Sequence, residues 1–320
     1  MQRVIIVYNP RSSKQALIQD EVIKPMRAIK GYQVGKYEVK QMPVEENAKN
    51  LTKILMDGDL ILVAGGDGTA TVGLNAAMMT EAKVTLGVLG YGNFNDMANM
   101  LGEHKCEDLL ADFQRGSIRQ LYPLEARING EFFRYAACYF SIGMFAESTE
   151  EFNVKDTRNS LKKGKKRLAY SIKKLMRWYF SSRKRNFLPP DIQLNDTPIN
   201  NMRIAKNGRK NITRGRRTTD VLFVNSDTVA KMMKGGNYWQ RKDEYLVSHG
   251  KLKNVFRLGV FMMKSILFHL PGKVMSKETK IDFSTPSEIE IQAEGEYKRV
   301  QLTELVVKKS DKAINVITKS

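Results

Sequence analysis

The first 120 residues alternate between short apolar runs and segments in which apolar residues recur three and four positions apart. The apolar runs predict buried strands, and the spaced segments predict helices. This alternation is typical of an open sheet of mostly parallel strands with covering helices. The predicted strands are residues 3–8, 32–39, 60–64 and 84–89, and the predicted helices are residues 16–29, 44–56, 69–79 and 97–101.

From about Leu121 the pattern changes to short segments rich in β-branched and aromatic residues, separated by turns. The Asn129-Gly130 pair is a hairpin signal, and the whole indicates a β-rich second domain. The predicted strands are residues 124–128, 132–141, 191–194, 201–205, 221–225, 280–283 and 288–292. We therefore predict the fold class α/β plus β. A doubly wound parallel-sheet domain spans 1–120, a β-sandwich-like domain spans 121–303, a cleft lies between them, and the tail 304–320 returns to the first domain.

Two helical pieces interrupt the β-rich half. Residues 161–180 carry an apolar stripe among lysines, and residues 252–270 are strongly apolar. The second piece is short for a membrane span. We interpret it as an amphipathic helix over the sheet or at a lipid interface, with packing in the core as the alternative.

The net charge of +19 is concentrated in one basic insertion, residues 155–217, which has 20 Lys and Arg against 3 Asp, a net +17. Such a field indicates an anionic partner, with a solvated surface insertion as the alternative. No nucleic-acid motif is present in the insertion, so we expect an anionic membrane rather than a specific nucleic acid. The candidate membrane contacts are Lys162, Lys163, Lys165, Lys166 and Arg167.

The location follows from two further features of the sequence. Two cysteines are too few for a disulfide framework, and the N-terminal stretch enters a strand without the apolar run of a signal peptide. We therefore expect a cytoplasmic protein that associates peripherally with membranes.

A glycine loop, Gly65-Gly66-Asp67-Gly68-Thr69, follows the third predicted strand and opens a helix. Strand, glycine loop and helix together present backbone N–H groups to a phosphate. A carboxylate at Asp67 suggests a metal ion, a ribose hydroxyl or a proton acceptor beside that phosphate. The alternative is a tight turn with Asp67 as the N-cap of the helix.

Two other polar loops leave strand ends in the same half, at residues 9–14 and 90–96, and an acidic turn, Glu294-Gly295-Glu296, lies near the end of the chain. Phosphoryl transfer needs a phosphate cradle, a metal held by carboxylates and a carboxylate that orients or deprotonates the attacking hydroxyl. The chain offers candidates for each. A solvated hairpin turn is the alternative for the acidic pair.

These motifs, in this order, resemble the catalytic domain of diacylglycerol and sphingosine kinases. That family has N-P near the start, G-G-D-G-T, then P-x-G-T-x-N-D and a late D-G-E. The corresponding residues here are Asn9-Pro10, Gly65 to Thr69, Gly90 to Asp96 and Glu294 to Glu296. Arg167-Leu168-Ala169-Tyr170 and the β-rich second half also resemble bacterial soluble lipid kinases, so the resemblance covers essentially the whole chain.

The resemblance implies an ATP-dependent lipid kinase that uses Mg²⁺ and phosphorylates diacylglycerol or a related lipid at a membrane surface. Glu296 would be the general base, with Asp67 as the second catalytic residue, and Asp67 and Asp96 would hold the metal. The lipid would enter between the domains. The residues implied in nucleotide binding are Asn9, Gly65, Gly66, Asp67, Gly68, Thr69, Gly92, Asn93, Asn95 and Asp96.

The chain departs from the family pattern at several positions. Gly90 and Asn93 replace the proline and threonine of P-x-G-T-x-N-D, Val72 stands where a glutamate is usual, and Glu294 replaces an aspartate. The segment that helps to hold a structural metal in bacterial members has only a distant counterpart at residues 242–246. Two alternatives therefore stay open: a kinase-fold protein with little or no activity that binds an anionic membrane or nucleic acid, and a kinase with a soluble substrate, as in NAD kinase. A homodimer is also open.

Overall fold

The computed structural model describes residues 1–92, 94–143, 145–147, 188, 192–195, 197–198, 220–229, 233–250, 264 and 268–320. The strands in chain order are β1 (Gln2–Tyr8), β2 (Tyr32–Glu38), β3 (Leu60–Gly65), β4 (Thr85–Gly90), β5 (Ile118–Leu121), β6 (Leu124–Ile128), β7 (Glu131–Ala136), β8 (Tyr139–Gly143), β9 (Gln193–Leu194), β10 (Thr197–Pro198), β11 (Asp220–Val224), β12 (Thr228–Val229), β13 (Met233–Lys234), β14 (Tyr245–Gly250), β15 (Lys273–Met275), β16 (Thr279–Ala293), β17 (Glu296–Lys309) and β18 (Ile314–Ile317). The helices are α1 (Gln15–Ile18), a π-helical turn (Gln19–Ile23), α2 (Lys24–Ala28), α3 (Val44–Thr52), α4 (Asp67–Met79), α5 (Asp96–Leu101) and α6 (Cys106–Gln114).

The first sheet has the strand order β2-β1-β3-β4-β18-β5, and every neighbouring pair from β2 to β18 is parallel. Successive side chains of its central strands pack into different hydrophobic clusters, one on each face of the sheet. Val63 packs in the cluster with α3 and α4, whereas Leu62 packs in the cluster with α1, α2 and α6. Because helices cover both faces, these strands are continuously apolar. The doubly wound sheet predicted from the sequence is confirmed.

Most predicted elements of the first half are present, with three differences. The predicted helix 16–29 is a succession of α1, the π-helical turn and α2. Helix α4 begins at Asp67, two residues before the predicted start, so the aspartate is part of the first helical turn. Helix α6 was not predicted, because its buried side has only three apolar residues, Cys106, Leu109 and Leu110, beside the buried Asp112.

The second sheet is antiparallel, and its main path has the order β15-β14-β11-β8-β16-β17-β6-β7. The described strands that were expected to form a β-sandwich-like domain are thus hydrogen-bonded in one large sheet. The predicted strands 280–283 and 288–292 are one strand, β16, with a shift in register between Asp282 and Ser287. The predicted strand 132–141 is divided into β7 and β8.

The chain passes between the two sheets twice, before β6 and after β17. Residues 304–309 of the tail belong to β17, and Ile314–Ile317 then forms β18 between β4 and β5 of the first sheet. The predicted strand 201–205, the helix 161–180 and most of the apolar piece 252–270 lie outside the described residues. None of the helices that the structure describes is both long enough and apolar enough to cross a membrane.

Candidate active site

The three polar loops of the first domain meet at one edge of the sheet. Strands β1, β3 and β4 are adjacent and parallel, so the loops that follow them leave the sheet at the same side. The Tyr91 N–H donates to the carbonyl oxygen of Gly65 at 2.8 Å. The ammonium of Lys14 lies 3.5 Å from the carbonyl oxygen of Gly92. The predicted crevice therefore has all three loops along its rim.

Asp67 connects two of these loops. Its carboxylate accepts the backbone N–H of Asn95 at 3.0 Å and that of Asp96 at 2.6 Å. Gly66 is the N-cap of α4, and no side chain caps that end of the helix. The alternative in which Asp67 is a simple N-cap is therefore wrong, because its side chain holds the second glycine loop against the first.

The two glycine loops approach each other so closely that side chains are excluded from their contact. A Cβ placed on Gly92 would lie 2.4 Å from the Cα of Gly66, a distance that no relaxed structure tolerates. Asn95 has a left-handed backbone, with φ of 53°, and its side-chain oxygen accepts the Gly92 N–H at 2.5 Å. A Cβ on Gly90 would lie 2.9 Å from the Asn95 side chain, so the glycine there suits this arrangement.

The acidic turn is a two-residue hairpin that connects β16 to β17. Glu294 and Gly295 both have positive φ, 51° and 83°, and the closing pair is Ala293 with Glu296. Two consecutive positive φ values are typical of a type I′ turn, whose twist matches that of the strands. The turn brings Glu296 to the first glycine loop: a Cβ on Gly68 would lie 2.2 Å from the Glu296 Oε1. Glu296 is exposed, as a residue that meets a substrate must be.

Glu294 is buried, and only 2% of the residue is exposed. Its Oε1 accepts the Cys138 N–H at 2.5 Å, and its Oε2 lies 3.1 Å from the Thr71 hydroxyl. Burial raises the pKa of Glu294 to about 7, and the Asp67 carboxylate also raises it, although the Cys138 N–H acts in the opposite direction. The alternative of a solvated turn therefore does not hold for Glu294.

The environment below the loops is acidic and dry. Asp96 begins α5 and is 1% exposed. Burial raises the pKa of the Tyr139 hydroxyl well above its usual value, and Asp96 and Asp67 raise it further. The described residues contain no group of three His, Cys, Asp or Glu side chains placed to hold a metal. Mg²⁺ beside a nucleotide usually takes only one or two carboxylates along with phosphate oxygens, so Asp67 and Asp96 fit that mode.

The remaining predicted site residues are distributed as follows. The Asn9 side-chain oxygen accepts the Arg11 N–H at 2.9 Å and shapes the first loop, and Thr69 is buried against Gly65. Val72 is 1% exposed and packs in the core with α3. Asn93 and the five basic residues Lys162, Lys163, Lys165, Lys166 and Arg167 lie outside the described residues.

Two contributors at the site were missed by the sequence analysis. Thr71 is not among the predicted site residues, yet its hydroxyl contacts Glu294. Its position, one helical turn after Asp67, could have indicated a polar contact. Cys138 contributes a backbone N–H, and no sequence pattern signals that.

Residues 3–123 match the family model of the diacylglycerol kinase catalytic domain. This match covers the first domain with both of its glycine loops. A curated diacylglycerol kinase from Bacillus subtilis (strain 168) is 29% identical over 140 residues, which cover 42% of this chain. The matched stretch spans 44% of that relative.

Solved structures show the same fold over nearly the whole chain. A crystal structure of a diacylglycerol kinase from Bacillus anthracis strain Sterne superposes with a TM-score of 0.67 at 15% identity, covering 99% of this chain and 97% of that one. A second structure from the same organism, assigned provisionally to the same kinase type, has a TM-score of 0.68 at 15% identity with the same coverage of both chains. These structures therefore show the fold of both domains.

Proposed function

We propose that this protein transfers the γ-phosphoryl group of ATP to a hydroxyl of diacylglycerol or a related lipid. The observation that carries this proposal is the contact between Glu296 of the second domain and Gly68 of the first glycine loop. A phosphate cradle alone would suit many nucleotide-binding proteins. An exposed carboxylate directly at such a cradle is what deprotonation of an attacking hydroxyl requires.

The chemistry uses the residues as follows. The N–H groups of the loop at 65–69 and the start of α4 face the phosphates, and Asp67 keeps the second loop in place. Glu296 accepts the proton of the lipid hydroxyl as that oxygen forms its bond to Pγ. The bond from Pγ to the bridging oxygen breaks, and ADP leaves with the electron pair. Mg²⁺, held by Asp67 and Asp96, would neutralise charge on the phosphate oxygens.

The test combines a substrate screen with one substitution. We expect ATP consumption with at least one of diacylglycerol, ceramide, sphingosine and monoacylglycerol in mixed micelles, and none with NAD. Glu296→Gln should reduce kcat by at least about 10²-fold, within the range of a lost general base, while the melting temperature stays unchanged. The matched control is Glu288→Gln, an exposed glutamate further along the same hairpin. Full turnover in Glu296→Gln would remove Glu296 as the base.

The screen also separates the alternatives. Phosphorylation of NAD would favour the soluble-substrate kinase, although the Asn95-Asp96 pair resembles the lipid group more closely. Absence of turnover with every substrate would favour the inactive binder.

We further propose that the basic insertion holds the protein at an anionic membrane. Each Lys or Arg near such a surface contributes about 1 kcal/mol, so a handful is sufficient. Sedimentation with vesicles should increase with the fraction of anionic lipid and decrease with salt. Binding that does not respond to salt would indicate apolar insertion instead.

A further inference from the structure

Glu294 connects three parts of the molecule that are far apart in sequence. It lies in the hairpin turn of the second sheet, its Oε1 accepts an N–H at the start of β8, and its Oε2 contacts a hydroxyl in the first turns of α4. We propose that Glu294 is a positioning residue whose side chain latches the hairpin to α4 by hydrogen bonds and thereby places Glu296 at Gly68. The inference rests on the proposed role of Glu296.

The hydrogen bonds around Glu294 suit a neutral side chain. The Thr71 oxygen lies 2.8 Å from the Asp67 carbonyl oxygen and 3.1 Å from the Glu294 Oε2. A hydroxyl has one hydrogen. When Thr71 donates that hydrogen to the Asp67 carbonyl, it can accept a second bond from a carboxylic acid O–H at Glu294. The Cys138 N–H then occupies the other carboxyl oxygen.

The residues around Glu294 also favour its neutral form. Burial and the Asp67 carboxylate both raise the pKa of Glu294, and the neighbouring side chains Cys138 and Tyr139 are buried. Among the described residues, no ammonium or guanidinium group forms an ion pair with Glu294.

The geometry explains why the latch governs Glu296. Only Gly295 separates the two glutamates, and the turn has a defined type I′ conformation. A hairpin tip with no anchor moves relative to the domain it faces, whereas Glu294 fixes this tip to α4 within three residues of Gly68. Misplacement of a reacting group by about 1 Å can cost about 10²-fold in rate.

The experiment measures kcat, the KM for ATP and the melting temperature for three replacements of Glu294. Glutamine reproduces the neutral pattern, because its oxygen can accept the Cys138 N–H and its NH₂ can donate to Thr71. Aspartate keeps the carboxyl group and shortens the side chain, and alanine removes every contact. We expect alanine and aspartate to lower kcat by about 10- to 100-fold, the scale of a misplaced group, with little change in KM for ATP. Glutamine should restore kcat to within about threefold of wild type.

A second pair of variants tests the same contact from the other side. Thr71→Val removes the hydroxyl while keeping the shape, and Thr71→Ser keeps the hydroxyl. We expect the valine variant to lose kcat and the serine variant to retain it, with α4 intact in both by circular dichroism. This pair keeps the inference testable if a Glu294 variant fails to fold.

The outcomes separate this inference from the proposed function. If Glu294 acts through Glu296, adding Glu294→Ala to Glu296→Gln should cause no further loss in kcat. A glutamine variant as inactive as the alanine variant would overturn the latch, because it would show that the charge at Glu294 is needed. Normal kcat in both the alanine and aspartate variants would also overturn it. A Glu296→Gln variant with full turnover would refute the proposed function itself.

Discussion

Gly68→Ala should separate activity from stability in this protein. Gly68 is the second residue of α4, and its φ is not in the left-handed region, so alanine fits the backbone. A Cβ at this position would lie 2.2 Å from the Glu296 Oε1 and 3.2 Å from its Cδ. Because contacts below 3.0 Å are essentially never observed for a real Cβ, the carboxylate must move by about 0.8 Å or more.

The cost of that movement falls on catalysis rather than on folding. Glu296 is exposed, so its side chain can rotate away at little cost. Alanine in place of a helical glycine stabilises by about 0.5–1 kcal/mol. Displacing the base by about 1 Å should lower kcat by about 10²-fold. We therefore expect a variant that is as stable as wild type or slightly more stable, by urea unfolding, and nearly inactive in the lipid kinase assay.

A double-mutant cycle tests whether the loss passes through Glu296. Gly68→Ala in the Glu296→Gln background should lower kcat no further, because the displaced group is already absent. A further loss together with a raised KM for ATP would show that alanine obstructs the phosphates instead. Turnover of Gly68→Ala within threefold of wild type would refute the placement of Glu296 at the glycine loop.

Two other predictions concern the loops and the domain junction. Gly92→Ala should lower the free energy of unfolding by about 1–3 kcal/mol and abolish ATP binding. The reason is that the Cβ would meet the Gly66 backbone, which cannot rotate away. An unchanged urea unfolding curve and an unchanged ATP titration would contradict this prediction. Burial lowers the pKa of Lys309 to about 7 from 10.5, so between those values the unfolded chain binds the extra proton and stability rises with pH. Between pH 7 and 9 the free energy of unfolding should rise by at most about 3 kcal/mol. This rise should be absent from Lys309→Met. If urea unfolding shows the same pH dependence for both proteins, the prediction is contradicted.

The α/β half was predictable because its signals are local. Residues 60–64 are apolar at every position since both faces of β3 are covered. Of the glycines that follow, Gly65 is required by the nearby Thr69, whereas Gly66 and Gly68 are required by the distant Gly92 and Glu296. The predicted start of α4 was two residues too late because Asp67 was assigned to the glycine loop rather than to the helix. Its actual partners, the N–H groups of Asn95 and Asp96, lie in another loop.

The second half was less predictable because its pairings are distant. Residues 280–283 and 288–292 were expected as two separate short strands, and the shift in register inside β16 interrupts the alternation that would have marked them as one long strand. The insertion of β18 beside β4 adds a parallel pair between residues more than 200 positions apart, to which no local pattern points.

By itself, the sequence determined which residues could carry the chemistry: the glycine loops, Asp67, Asp96 and the acidic pair near the end of the chain. The tertiary structure decided how the two glutamates of that pair differ. Both flank the same glycine, yet Glu294 is buried beneath β8 and α4 and Glu296 is exposed at Gly68. The reason is physical, because the burial of a side chain depends on what the other domain places against it. The tight turn directs the Glu294 carboxyl into the contact between the domains and the Glu296 carboxyl out to the crevice.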